Sequence, residues 1–133
     1  MFKRNGEVQY LLLHYEAGHW DYVKGQVEPH ETEKETVLRE LHEETGISNA
    51  RFIEGFREEI SYFYRREART VYKEVIFFLI ESKESTVRLS YEHVGYEWLN
   101  YDKAMAKLTF PNAKKVLAKA QEFLRKNEKE QEN

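Results

Sequence analysis

With 133 residues, 41% of them hydrophobic, the chain is long enough to bury one core and too short for two. Cysteine is absent, which excludes disulfides, thiolate metal sites and cysteine nucleophiles, and a formal net charge of −3 argues against a broad, nonspecific grip on nucleic acid. The longest apolar run, Val75 to Ile80, falls far short of the roughly 20 residues of a membrane span, and Met1-Phe2-Lys3-Arg4-Asn5-Gly6 lacks a signal-peptide core, so the expected location is cytoplasmic.

In chain order, residues 8–15 have the length and apolar density of a buried strand. Glu16-Ala17-Gly18 turns the chain, and His19 to Lys24 reads as a short strand or an extended loop. Residues 31–45 predict a helix with Val37, Leu38 and Leu41 as its apolar stripe and Gly46 as the glycine that ends it. Two long strands, 51–64 and 70–81, flank a polar hairpin at Arg65-Arg66-Glu67-Ala68-Arg69. Short strands are expected at 87–89 and 96–99, then a helical turn or two over 102–107. Pro111 suits the first position of a final helix, in which Val116, Leu117, Ala120, Phe123 and Leu124 repeat at helical spacing. The polar tail from Asn127 is expected to fray. No repeat or linker divides the chain, so the elements predict a single α+β layered domain over residues 1–133.

The helix carries the chemistry. At about 100° per residue, Glu40, Glu43 and Glu44 share an arc of roughly 100°, beside an apolar stripe centred roughly 110° away. Such crowding costs stability, and a solvated acidic face is the plain alternative. Oxygen ligands pointing one way are also what hard cations such as Mg²⁺ or Mn²⁺ require. Arg39 stands four residues before Glu43 and within reach of Glu31, so it could pair with either carboxylate. Gly25 allows a backbone conformation that would fold the preceding loop back onto the helix.

Gly25, then Glu31, then Arg39-Glu40-Leu41-x-Glu43-Glu44-x-Gly46-Ile47 resembles the complete Nudix box. The resemblance implies an α/β/α sandwich around a mixed sheet, with the box helix and the C-terminal helix packed on it. Outside the box, His19-Trp20, Lys24-Gly25, Ile53-Glu54-Gly55-Phe56-Arg57, Lys73-x-Val75, Leu89-Ser90-x-Glu92-His93 and Tyr96-x-Trp98-Leu99 resemble the asymmetrical diadenosine tetraphosphate hydrolases. That subgroup implies hydrolysis of a dinucleoside tetraphosphate to a nucleoside triphosphate and a monophosphate, with Mg²⁺ as cofactor and Mn²⁺ able to replace it.

Carried over by position, Glu40, Glu43, Glu44 and Glu92 would bind metal, with a further oxygen from the Gly25 carbonyl. Glu44 is the favoured base on the helix, Glu92 a ligand or base arriving from a distant loop, and Arg39 the residue that fixes rotamers. His19, Lys24 and Lys73 would face the polyphosphate. Phe77 and Tyr62 would stack on a base, Phe77 reading equally well as a core phenylalanine and Tyr62 and Trp20 being open in the same way. His19 reads equally well as a turn histidine, and Lys73 as a solvated strand lysine. Relatives carry an extra strand before the segment of Phe2, a proline where Val23 stands and a glycine where His30 stands. Competing expectations are another pyrophosphohydrolase of the family, acting on ADP-ribose, capped RNA or an inositol pyrophosphate, and a silent nucleotide-binding regulator. A nucleotide is the expected partner, with no membrane, no stable nucleic-acid complex and a monomer or weak homodimer.

Overall fold

The computed structural model describes residues 1–24 and 29–132, without the side chains of Asn5 and of residues 129–132. In chain order it contains β1 (Phe2–Asn5), β2 (Glu7–Tyr15), β3 (Trp20–Asp21), α1 (Glu33–Thr45), β4 (Ala50–Arg66), β5 (Arg69–Ser82), β6 (His93–Leu99), α2 (Tyr101–Lys107) and α3 (Pro111–Glu132). Six strands form one mixed sheet in the order β3-β2-β1-β5-β4, with β6 on the other edge of β2. The β1–β5 pair is parallel and meets only at Phe2 and Glu81, whereas the remaining pairs are antiparallel.

Strand β2 shows why helices cover both faces. Its buried run alternates sides, as strand geometry demands. Tyr10 and Leu12 join Phe56, Leu79, Ala104, Leu117 and Leu124 beneath α2 and α3. Leu11 and Leu13 join Leu41, Ile47 and Val87 beneath α1. The expected α/β/α sandwich is what the chain forms, and no helix among the described residues is long and apolar enough to cross a membrane.

Helix α1 is set at both ends. Thr32 Oγ1 accepts from the Glu35 N–H at 3.1 Å while Glu35 reaches back to the Thr32 N–H, a reciprocal capping box. Gly46 closes the helix at φ 74°, and a Cβ there would stand 3.3 Å from the Arg88 side chain, so both conformation and space favour glycine. The expected stripe needs correction: Leu38 is 42% exposed, and the buried positions are Thr36, Leu41, Glu44 and Thr45. The helix is thus rolled by roughly 50° from the orientation its apolar residues alone suggest, which turns Glu44 inward.

Two other expectations change. Residues 87–89 form no strand; instead the Arg88 N–H donates to the Thr45 carbonyl at 2.8 Å and the Ser90 N–H to the Glu44 carbonyl at 3.3 Å. The last carbonyls of a helix have no partner within it, and this extended segment supplies one. Helix α3 continues to Glu132, and Arg4 holds Glu128 at 2.7 Å. The β4–β5 hairpin turns on Glu67 and Ala68, both at positive φ, so its strands run closer to the tip than the polar stretch suggested.

Candidate active site

The roll of α1 and the docking of residues 87–90 onto its end bring two distant segments together. Glu92 is anchored by its carbonyl, which accepts from the Glu16 N–H at 3.0 Å, and His93 pairs with Tyr15 across the irregularity in β2. Ligand atoms of Glu44, Glu92 and His93 then lie within 4.8 Å of one another. Glu44 and His93 are each 6% exposed, and among the described residues neither Glu44 Oε2 nor His93 Nε2 has a hydrogen-bond partner.

Electrostatics follow from that crowding. Burial, then the charges of Glu40 and Glu92, push the Glu44 carboxyl up to about 8, against a hydrogen bond from the Lys24 backbone N–H. Burial also raises Glu40, with the Arg39 guanidinium acting against it. Burial lowers the His93 imidazole, opposed by the Glu92 charge and assisted by His19. An acid-rich pocket with two orphaned buried atoms and no guanidinium in contact with Glu44 fits a divalent cation, which would supply the missing charge.

Arg39 has a different task. Its Nε donates to Glu31 at 2.7 Å and its Nη2 to the other Glu31 oxygen at 3.1 Å, while Nη1 reaches Glu40 at 2.8 Å and Glu43 at 3.3 Å. Both pairings that spacing allowed are made at once. Glu40 is half-buried, whereas the Glu43 side chain is 56% exposed and stands outside the convergent trio.

The remaining expected residues spread around this centre. Lys24 Nζ is 2.6 Å from Asp21 Oδ2, a buried carboxylate, and so is committed to an ion pair. His19 stacks on Tyr15 at 4.5 Å, and Tyr15 meets His93 edge-on at 4.4 Å, so His19 touches the centre through that ring. Trp20 stacks on His14 at 4.4 Å. A cavity of about 380 Å³ opens beside β5 where β1 no longer accompanies it; its wall includes Tyr22, Lys24, Glu40, Lys73 and Phe77. Phe77 is buried and meets Tyr22 edge-on at 5.5 Å, so it is packed and lines the cavity at once. Tyr62 faces Lys73 across the strand pair but is not part of that wall. Gly25 lies outside the described residues.

Sequence reasoning missed three participants: His93, Asp21 and Tyr15. His93 sat in view beside Glu92, and its signal was adjacency to a suspected ligand. Asp21, between Trp20 and Tyr22, signalled itself as a lone acid in an aromatic segment. Tyr15 gave no signal; only the fold places its ring between two histidines.

Sheet, box helix and acidic centre define the class: the NUDIX domain model matches residues 1–120, and the chain belongs to that family. It is 41% identical over 126 residues to the mouse bis(5'-nucleosyl)-tetraphosphatase [asymmetrical], covering 90% of this chain and 83% of the mouse protein. The Caenorhabditis elegans protein of the same name is 30% identical over 127 residues, covering 92% of this chain and 89% of its own. Among solved structures, that of a C. elegans Ap4A hydrolase binary complex superposes with a TM-score of 0.81 at 27% identity, covering 93% and 92% of the two chains.

Proposed function

We propose that the chain is a Mg²⁺-dependent hydrolase, with Mn²⁺ able to replace Mg²⁺, that splits a phosphoanhydride bond of diadenosine tetraphosphate to give ATP and AMP. The observation that carries the reading is the convergence of Glu44 and Glu92 on one point, with Glu44 Oε2 buried and unpartnered. The names of the relatives support the substrate class.

Glu44, Glu92, Glu40 and Glu43 would hold the cations, joined by the Gly25 carbonyl. When bound, such ions draw charge from the phosphate oxygens and lower the pKa of a nearby water. The protein's own part is to position and to move a proton. Arg39 fixes the rotamers of Glu31, Glu40 and Glu43 on α1. Glu44 and Glu92 are the two carboxylates placed to receive the proton of the attacking water. Of these, Glu44 is the one assigned as base, because it is buried on α1 with an oxygen that has no partner among the described residues. Lys73, Lys24 and His19 face the polyphosphate, the Asp21 ion pair holding Lys24 in place. The cavity whose wall includes Tyr22 and Phe77 would accept an adenosine, and Tyr62, opposite Lys73 on the neighbouring strand, would stack on a base. The nucleotide is the partner of a monomer or weak homodimer located in the cytoplasm.

A side-by-side turnover assay with Mg²⁺, its products separated by chromatography, tests this. ATP and AMP in equal amounts from diadenosine tetraphosphate are expected. Cleavage of ADP-ribose with the tetraphosphate left intact overturns the substrate assignment, and turnover that survives chelation overturns the metal.

A further inference from the structure

His93 opens β6 with its ring enclosed by the protein. Tyr15 meets it edge-on at 4.4 Å, and Ser90 Oγ stands 3.1 Å from Nδ1. Among the described residues Nε2 is buried with no hydrogen-bond partner, so the loss of its contact with water is uncompensated. A ring nitrogen of His93 and carboxylate oxygens of Glu44 and Glu92 lie within 4.8 Å of one another. We propose that His93 Nε2 is a ligand of the same divalent ion as Glu44 and Glu92, adding one nitrogen to an otherwise all-oxygen set. The inference rests on the cation site proposed above.

Three features support it. The Ser90 hydroxyl can accept a hydrogen bond from Nδ1–H, which leaves Nε2 as the ring nitrogen with a free lone pair; metal-bound histidines ordinarily keep an outer partner of this kind. Ser90 is itself fixed, because its N–H donates to the Glu44 carbonyl and its carbonyl accepts from the His93 N–H at 3.2 Å. The span fits as well. Two bonds of about 2.1–2.3 Å on opposite sides of an ion cover roughly 4.2–4.6 Å, close to the 4.8 Å limit of this trio, and the exposed Glu92 side chain closes the rest by rotamer change. A nitrogen ligand biases the site toward Mn²⁺, Co²⁺ or Zn²⁺ relative to Mg²⁺, which prefers oxygen.

Pulsed electron paramagnetic resonance of the full chain loaded with Mn²⁺ tests the assignment without reference to turnover. An imidazole-nitrogen modulation is expected in the unaltered protein and lost in His93→Gln. Mn²⁺ affinity should fall roughly 10–100-fold in that variant, and Mg²⁺ affinity less. The unaltered protein is decisive even where His93→Gln fails to fold: bound Mn²⁺ without imidazole modulation overturns the proposal. Modulation that persists in a folded His93→Gln protein overturns it too, by pointing to another histidine. Glu44→Gln separates this failure from failure of the cation site. If it abolishes Mn²⁺ binding while no nitrogen couples in the unaltered protein, only His93 is misassigned; if Mn²⁺ binding ignores Glu44→Gln, both assignments fall.

Discussion

Glu81 and Glu44 are both buried glutamates, 9% and 6% exposed, and they are handled in opposite ways. Glu81 on β5 receives two guanidinium groups, Arg51 at 2.7 Å and 3.0 Å and Arg4 at 3.1 Å. Among the described residues Glu44 on α1 receives a backbone N–H from Lys24 and no guanidinium, keeps one oxygen unpartnered, and has Glu40 and Glu92 as neighbours. Removing a carboxylate from water is costly in either place unless it is paired. The contrast teaches that burial of an acid does not mark a functional site; burial without a matching cation does. Glu81 holds strands together, whereas Glu44 has no cationic side chain bonded to it among the described residues.

The largest effect expected from breaking this contrast is at Glu44. Glu44→Gln should reduce turnover of diadenosine tetraphosphate by roughly 10³-fold or more, the scale of losing a central member of a catalytic set. Its metal-free melting temperature near pH 7 should not fall and should rise. At that pH the folded carboxyl, raised to about 8, is mostly protonated while the unfolded chain has released its proton, so the unaltered protein bears a cost of proton uptake on folding that the neutral amide does not. Steady-state kinetics with Mg²⁺ and calorimetry with chelator check the two halves. Full activity in this variant would remove Glu44 from the chemistry.

A smaller effect, on stability, follows from the same carboxyl. Its folded value of about 8 lies above its ordinary 4.5. Between these the folded protein holds a proton that the unfolded chain has released, so folding is favoured at the acid end. The stabilisation is fully present below about pH 4.5 and is lost as pH climbs through about 8. Glu40, also raised, acts in the same direction. Relative to Glu44→Gln, the chelated protein should therefore lose stability from pH 5 to pH 8.5, by on the order of a few kcal/mol; the N-terminal amine and His93, both lowered by burial, act in the opposite sense in both proteins. Saturating Mg²⁺ should flatten the slope by favouring the ionised form. Scanning calorimetry across that range decides it; equal slopes in the chelated protein and in Glu44→Gln would show that Glu44 is not the source.

How much of this could be read beforehand depends on which geometry is local. The shared arc of Glu40, Glu43 and Glu44 follows from helix pitch alone, and so does the Arg39–Glu43 pair, four residues apart. The box glutamates and Glu92 were accordingly legible, one set by spacing and one by resemblance. The roll of α1 about its own axis was not. It depends on what Thr36 and Thr45 meet under the helix, and it separates buried Glu44 from exposed Glu43. Nor was the path of residues 87–90 legible, since three apolar-patterned residues do not reveal that their N–H partners are the carbonyls of a helix end. The orphaned His93 Nε2 depends on that path. Lys24 shows the same limit: its neighbour in sequence is Gly25, but its partner in space is Asp21.

The smallest expected effect sharpens the contrast from the other side. Glu81→Gln keeps the shape of the side chain and removes the charge that Arg4 and Arg51 share. Arg51 is 68% exposed and Arg4 44% exposed, and Arg4 retains Glu128, so water and that second acid take up much of the lost attraction. A loss of about 1–2 kcal/mol is expected, lowering the melting temperature by several degrees in a domain of this size. Turnover per folded molecule should stay within about twofold of the unaltered protein, because Glu81, Arg4 and Arg51 bond to one another and to Glu128, and none of them is among the groups that shift Glu44. Denaturant titration beside steady-state kinetics reads both quantities on one preparation. The two variants should then part cleanly, Glu44→Gln losing activity while keeping stability and Glu81→Gln the reverse. A Glu81→Gln protein that stayed stable but lost turnover would mean that the strand-end cluster reaches the reaction, and the division between a structural acid and a functional one would fail.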